Sequence, residues 1–151
     1  LHVGVVPAVN NLTGLVHHSL YEETSYLYCA RGHPLFETAD RVSDRAIAEA
    51  DAVAPAFALP AHALQHHQPL RCTASATDRE GIAFLVHTQR YIGFLPEHFA
   101  APWVERDSLR ALAPDRHYYR IEYAVITRRD RRPHRVLETF LEHLLDHDPA
   151  S

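Results

Sequence analysis

Hydrophobic and polar positions alternate along this chain with two periods, and the switches between them predict the elements. Residues 1–6 are short, apolar and β-branched and are stopped by Pro7, which predicts a buried strand ending in a loop through Asn10, Asn11 and Gly14. Residues 24–30 set Tyr26 and Tyr28 against Leu27 and Cys29, a strand alternation that Gly32 and Pro34 close. Ser43 is placed to cap a helix over 44–50, because its hydroxyl can accept an orphan N–H of the first turn. A short strand over 52–56, a weaker helix over 61–67 and a strand over 70–73 follow, with Pro69 at the last turn. Thr77 and Glu80 have capping-box spacing ahead of Ile82, Phe84, Leu85 and Val86, which predicts a helix over 78–87. Residues 92–95 read as a strand, and Pro96 suits the first position of a helix through Ala100. Residues 118–127 alternate again. From 133 to 147 the pairs Val136/Leu137, Phe140/Leu141 and Leu144/Leu145 recur at helical spacing.

Strands alternating with helices predict an α/β fold with a mainly parallel sheet and helices on its faces. The two longest strands bracket the middle of the chain, so one lobe is expected to be inserted into another, with those strands as the crossings. The sequence contains no internal repeat and no low-complexity tract.

Composition narrows the function. The chain has 151 residues, 46% of them hydrophobic, enough for a substantial core. No apolar run approaches the roughly 18 residues that span a bilayer, and no segment has the order of a signal peptide. Cys29 and Cys72 stand far apart, without the spacing of a zinc site or a disulfide framework, and a reducing cytoplasm is the expected compartment. All basic side chains are arginine, and methionine is absent. A chain that opens directly in a strand, without Met, reads as a segment of something longer. The net charge of −4 argues against a stand-alone nucleic-acid binder, whose affinity rests on phosphate neutralisation.

Five stretches occur in an order that carries a resemblance. They are Val3-Gly4-Val5-Val6; Tyr21-Glu22-Glu23 leading into Tyr26-Leu27-Tyr28; Arg31-Gly32-His33-Pro34-Leu35; Ile92-Gly93-Phe94-Leu95-Pro96; and the amphipathic run 135–144. Together they resemble the effector-binding domain of LysR-type transcriptional regulators, over nearly the whole chain. The resemblance implies a type-2 periplasmic-binding-protein-like fold, two Rossmann-like lobes joined by two crossing strands. Lobe two would span 30–115, and 1–29 with 116–151 would form a partial lobe one lacking its first strands. It further implies a cytoplasmic bacterial regulator that binds a small metabolite in the inter-lobe cleft. Such a domain pairs as a homodimer, tetrameric in the full-length regulator, with the helix over 78–87 as the lobe-two contribution. DNA would be touched only through a missing N-terminal part. The family's usual "A-G-x-G-I" turn is replaced by His87-Thr88-Gln89-Arg90-Tyr91-Ile92, which cannot enter positive φ as cheaply, so the helix is expected to exit differently there.

In folds of this kind ligands sit at the carboxyl ends of strands, where helix N-termini offer unpaired N–H groups. Val6, Pro7, Ala8, Ala56, Phe57, Thr73, Ala74 and Ser75 are placed there as effector-binding residues. Ser75 and Thr77 can also bond a carboxylate or similar anion, or simply cap the next helix; Phe57 can pack on an apolar ligand or in the core. His62/His66 and His143/His147 are spaced i, i+4 but lack a third ligand, so no metal and no cofactor is expected. His17-His18 and His66-His67 read as solvated surface. Cys29 near His33 lacks an orienting third group and reads as core. The run Arg128, Arg129, Arg131, Arg132 reads as an exposed turn, and Trp103 as a lobe-packing residue. There is no Walker loop, H-E-x-x-H or G-x-S-x-G, so no enzyme is expected. A solute-binding protein of the same fold serving a transporter is the alternative, and a zinc hydrolase built on the histidine pairs a third.

Overall fold

The computed structural model describes residues 3–7 and 15–128, with side chains described for 20–124. The alternating stretches form strands β1 (Val3–Pro7), β2 (Leu15–Ala30), β3 (Asp51–Pro55), β4 (Arg71–Ala76), β5 (Gly93–Pro96), β6 (Leu109–Ala111) and β7 (Tyr118–Arg128). Helices α1 (Asp44–Glu49), α2 (Ala61–Gln65), α3 (Arg79–His87) and α4 (Glu97–Glu105) fall between them, with a 3₁₀ segment at Phe36–Arg41. The helix expected over 133–147 lies outside the described residues, as do Ala8, His143, His147 and most of the arginine run.

The chain divides into two units, Thr24–Arg120 and Leu1–Glu23 with Ile121–Ser151. Strands β2 and β7 each run through the division. In the second of these units β1 pairs antiparallel with β7, from Val3 opposite Thr127 to Pro7 opposite Tyr123, and the rings of Tyr21 and Tyr123 stack at 5.1 Å.

In the Thr24–Arg120 unit β2 supplies the spine. Successive strand residues point to opposite faces, so Tyr26, Tyr28 and Ala30 meet α3 and α4 through Ile82, Ala83, Val86 and Ala100, while Leu27 and Cys29 take the other face. β5, Gly-Phe-Leu-Pro, is buried at all four positions and lies antiparallel to β2, with Tyr26 opposite Leu95. A parallel bridge from Ile92 to Ala52 links it to β3, which pairs in parallel with β4. Gly93 lets α3 approach: a Cβ there would stand 2.8 Å from Ile82 Cγ2 and 3.2 Å from Val86 Cγ2. Burying Val86 and Ile82 behind this contact stabilises the unit by roughly 1.5–3 kcal/mol each.

The expectation of a mainly parallel sheet is corrected. Among the described residues three ladders, β1/β7, β2/β5 and β2/β6, are antiparallel, and only β3/β4 with the Ile92 bridge is parallel. The short hydrophobic runs gave strand positions but not direction. The first crossing strand is also longer than expected, beginning at Leu15 rather than residue 24, because backbone pairing holds a stretch that carries the polar residues His17, His18, Glu22 and Glu23.

The turn after α3 is a second correction. Gln89 does enter positive φ, at +69°, although it is not glycine. Such a conformation costs of order 1 kcal/mol for a non-glycine residue, and local bonds offset it: Gln89 N–H donates to Val86 O at 3.0 Å and Thr88 Oγ1 to Leu85 O at 2.5 Å. The Gln89 side chain then lies against Gly32, itself at φ +96°, where a Cβ would fall 2.5 Å from Gln89 Oε1. Tyr91 turns inward and packs on the core beside Val86.

Candidate functional site

The carboxyl ends of β3 and β4 lie side by side because the two strands are parallel, with Ala54 opposite Ser75 and Pro55 opposite Ala76. Ala56 N–H continues the ladder by donating to Ala76 O at 2.7 Å. This brings Ala56, Phe57, Ala74 and Ser75 together at one end of the sheet. Ala56 and Ser75 are exposed, and Phe57 is half-buried, one side packed on the core of α3 and β2. Val6 and Pro7 occupy the last two positions of β1, in the other unit, and their side chains lie outside the described residues.

Thr73 does not join this group. It sits inside β4 at a register irregularity, since Ala52 faces Cys72 but Val53 faces Ala74, so Thr73 is the extra residue of a bulge. Its hydroxyl donates to Asp51 Oδ1 at 3.0 Å, at the amino ends of the strands, where Arg71 Nη2 donates to the same oxygen at 3.0 Å. These bonds hold the Asp51 carboxyl below the usual carboxylate range, the Thr73 hydrogen bond foremost.

The cap of α3 is Asp78 rather than Thr77. Asp78 Oδ1 accepts from Gly81 N–H at 2.8 Å, and Asp78 is extended, at φ −153°. Thr77 is left exposed in the turn, beside Ser75 and just ahead of the helix. Asp78 and Glu80 both stand at the α3 N-terminus, so the dipole that would attract an anion already faces two carboxylates. Ser43 caps α1 as expected, its hydroxyl accepting from Ala46 N–H at 3.1 Å.

Among the described residues His62, His66 and His67 take structural roles. His62 Nε2 lies 2.6 Å from Arg120 O, and the His66 ring sits 5.6 Å from Tyr119. Among the described residues no three His, Cys, Asp or Glu side chains gather as a metal site. His67, expected at the surface, is buried at 9% exposure against Phe94, because the chain turns there from α2 into β4 and Leu70 N–H bonds His67 O. Burial, with the nearby His66 charge second, lowers its pKa to about 4. Cys29 is fully buried and its thiol is pushed up to about 12, chiefly by burial, with Arg110 opposing. Trp103 lies in α4, edge-on to His87 at 4.9 Å and to Phe99 at 5.3 Å, inside one unit. Phe84, on the outer face of α3, is 71% exposed, a position that helical spacing alone assigned to the apolar stripe.

Known proteins match this arrangement along its length. The LysR substrate binding domain family matches residues 1–149. The HTH-type transcriptional activator BauR of Pseudomonas aeruginosa is 54% identical over 145 residues, 94% of this chain and 47% of BauR, so the chain spans about half the length of that relative. Among solved structures, the bromide-bound regulatory domain of HypT from Salmonella typhimurium aligns over 95% of this chain and 70% of its own, at TM-score 0.70 and 18% identity. The CcmR regulatory domain of Synechocystis, solved with 2-PG, aligns over 96% and 72% at TM-score 0.73 and 16% identity. The fold is that of LysR regulatory domains, a type-2 periplasmic-binding-protein-like α/β architecture, and the chain belongs to the LysR substrate binding domain family.

Proposed function

We propose that this chain is the effector-sensing part of a cytoplasmic transcriptional activator, that it carries no catalytic activity, and that a small metabolite binding to it changes how a linked DNA-binding module engages its operator. The 54% identity to BauR over 94% of the chain carries this reading. The family is one of transcriptional regulators, and no observation favours a transporter-linked solute-binding protein.

The metabolite meets the exposed carboxyl ends of β3 and β4, where Ser75 and Thr77 offer hydroxyls and Phe57 an apolar face. Thr73 acts only by holding the bulge that aims Ala74 and Ser75. A carboxylate ligand uses the Ser75 and Thr77 hydroxyls rather than the α3 dipole, which Asp78 already caps. Thr24–Arg120 serves as regulatory subdomain II, a slightly longer segment than 30–115. A second copy of the chain covers Phe84 on α3, forming a homodimer.

A thermal-shift screen of organic acids and amino acids tests the binding site. A ligand at a hundred times its Kd adds about 2.7 kcal/mol and raises Tm by several degrees. Ser75→Ala and Phe57→Ala should each shrink that rise, and an unchanged rise in both variants refutes the placement. In sedimentation, Phe84→Asp should shift the chain toward monomer.

A further inference from the structure

The segment 61–70, between β3 and β4, holds to the sheet through few apolar groups. α2 is a helix of five residues, and Pro60 at its N-cap supplies no side-chain hydrogen bond. Of its own residues only Ala63 is buried; Ala61, His62, Leu64 and Gln65 are exposed. Imidazoles make the larger contacts. His62 Nε2 donates to Arg120 O at 2.6 Å. The His66 ring lies 5.6 Å from Tyr119 and 6.3 Å from Phe94, and the His67 ring 5.9 Å from Tyr119 and 4.9 Å from Phe94.

His67 is ill-suited to this place if it serves stability alone. Both its ring nitrogens are buried without a hydrogen-bond partner among the described residues. A phenylalanine would fill the same aromatic surroundings without leaving polar atoms unpaired. What imidazole adds is a charge that switches in mildly acidic water. The surroundings oppose that charge on every packed element. On α2 and its last turn the neighbours are His66 and, beyond it, His62; β5 presents Phe94; β7 presents Tyr119, followed by Arg120; and His117 stands just ahead of β7. The carboxylate tied to this group, Asp44, accepts from His117 Nε2 at 2.9 Å and Arg116 Nη2 at 3.3 Å. Burial first, and neighbouring imidazoles second, hold His66 and His67 below their ordinary 6.5, His67 at about 4, and no carboxylate of the described residues opposes the shift.

We propose that residues 61–67 form an acid-released latch: protonation of His66 and His67 frees α2 from Phe94 and Tyr119 while α3 keeps its packing on β5. The release is local because α2 is short and the contact of Ile82 and Val86 with Gly93 does not pass through it. α2 follows Ala56 and Phe57 in the chain, so under the effector reading above binding there becomes pH-dependent. The release itself involves no ligand and stands whether or not that reading is right.

Hydrogen exchange of the full chain, followed by mass spectrometry at pH 7.5 and pH 5.0 and corrected for the intrinsic exchange rate at each pH, tests it. The N–H groups of His66, His67 and Leu70 donate to Ala63 O, Leu64 O and His67 O, so they report on the latch, and those of α3 report on the rest. A group with a pKa of about 4 when buried and 6.5 when free favours opening about thirtyfold more at pH 5.0 than at pH 7.5. Protection in 61–70 should fall by about that factor or more, and should hardly respond to sub-denaturing urea, because a local opening exposes little surface, whereas α3 protection should fall steeply with urea. His67→Phe should cut the acid effect to the part due to His66, and His66→Asn with His67→Phe should abolish it. His98→Asn, on the exposed side of α4, should leave it unchanged. An acid effect below about threefold, a urea dependence in 61–70 equal to that in α3, or an acid effect that survives in the double variant would overturn the proposal; the urea comparison needs only the parent chain.

Discussion

Replacing His67 with phenylalanine should remove much of the acid sensitivity of the Thr24–Arg120 unit. His67 is 9% exposed, neither of its ring nitrogens has a hydrogen-bond partner among the described residues, and its ring lies edge-on to Phe94 at 4.9 Å. Burial drops its pKa from 6.5 to about 4. Above pH 6.5 the imidazole is neutral in both folded and unfolded chains and contributes no pH dependence. Below 6.5 the unfolded chain takes up a proton that the folded chain refuses, so stability falls until the folded group also titrates near pH 4. A shift of that size, at 1.36 kcal/mol per unit, corresponds to about 3 kcal/mol, most of it lost by pH 4.5. His67→Phe deletes this linkage and two unsatisfied polar atoms together, so the variant should match or exceed the parent chain at pH 7.5 and exceed it by about 2–3 kcal/mol more at pH 4.5. Urea unfolding followed by Trp103 fluorescence reads this unit, since Trp103 packs in it against His87. His33 and His66 are lowered in the same direction by burial and leave the variant a residual slope. The reasoning is refuted if the stability difference between parent and variant is the same at both pH values.

Three further outcomes are expected. Asp78→Ala removes the hydrogen bond to Gly81 N–H and should lower stability by about 1 kcal/mol in urea unfolding, whereas Thr77→Ala should change it by less than about 0.5 kcal/mol. Gly32→Ala meets both a positive φ and the Gln89 amide and should destabilise by about 2 kcal/mol or more, with Gln89→Ala restoring part of the loss. Of the two thiols, exposed Cys72 should react with a disulfide reagent at pH 8 in the native chain and Cys29 only after denaturation, because Cys29 is fully buried with its thiol pushed up to about 12.

Element type was legible wherever one residue's chemistry decides it. Ser43 has only one use ahead of Asp-Arg-Ala-Ile, and it caps α1 as the sequence reading expects. β5 was legible because Ile-Gly-Phe-Leu bounded by Pro has no amphipathic alternative. What escaped depends on partners distant in sequence. Strand direction in β2 follows from pairing Tyr26 with Leu95 and Cys29 with Arg110, residues about seventy and eighty positions away. Burial of His67 depends on Phe94 and Tyr119 closing over it, and no pattern around His66-His67 encodes that.

The candidate site divides along the same line. Ala56, Phe57, Ala74 and Ser75 come together because parallel pairing of β3 and β4 is a consequence of strand, helix, strand order, which sequence periodicity does report. The sequence groups Thr73 with them because a one-residue bulge leaves no compositional trace, and Thr occurs inside strands as well as at their ends. The bulge has a physical use that the straight strand lacks. By taking Thr73 out of register it lets one hydroxyl and Arg71 hold Asp51 at the amino end while Ser75 reaches the carboxyl end opposite Ala54. Without the extra residue, strand alternation would turn Ser75 to the other face of the sheet. The bond between Thr73 and Asp51 is therefore coupled to which face of the sheet Ser75 takes, and Thr73→Val should shrink the ligand-induced rise in Tm proposed for Ser75.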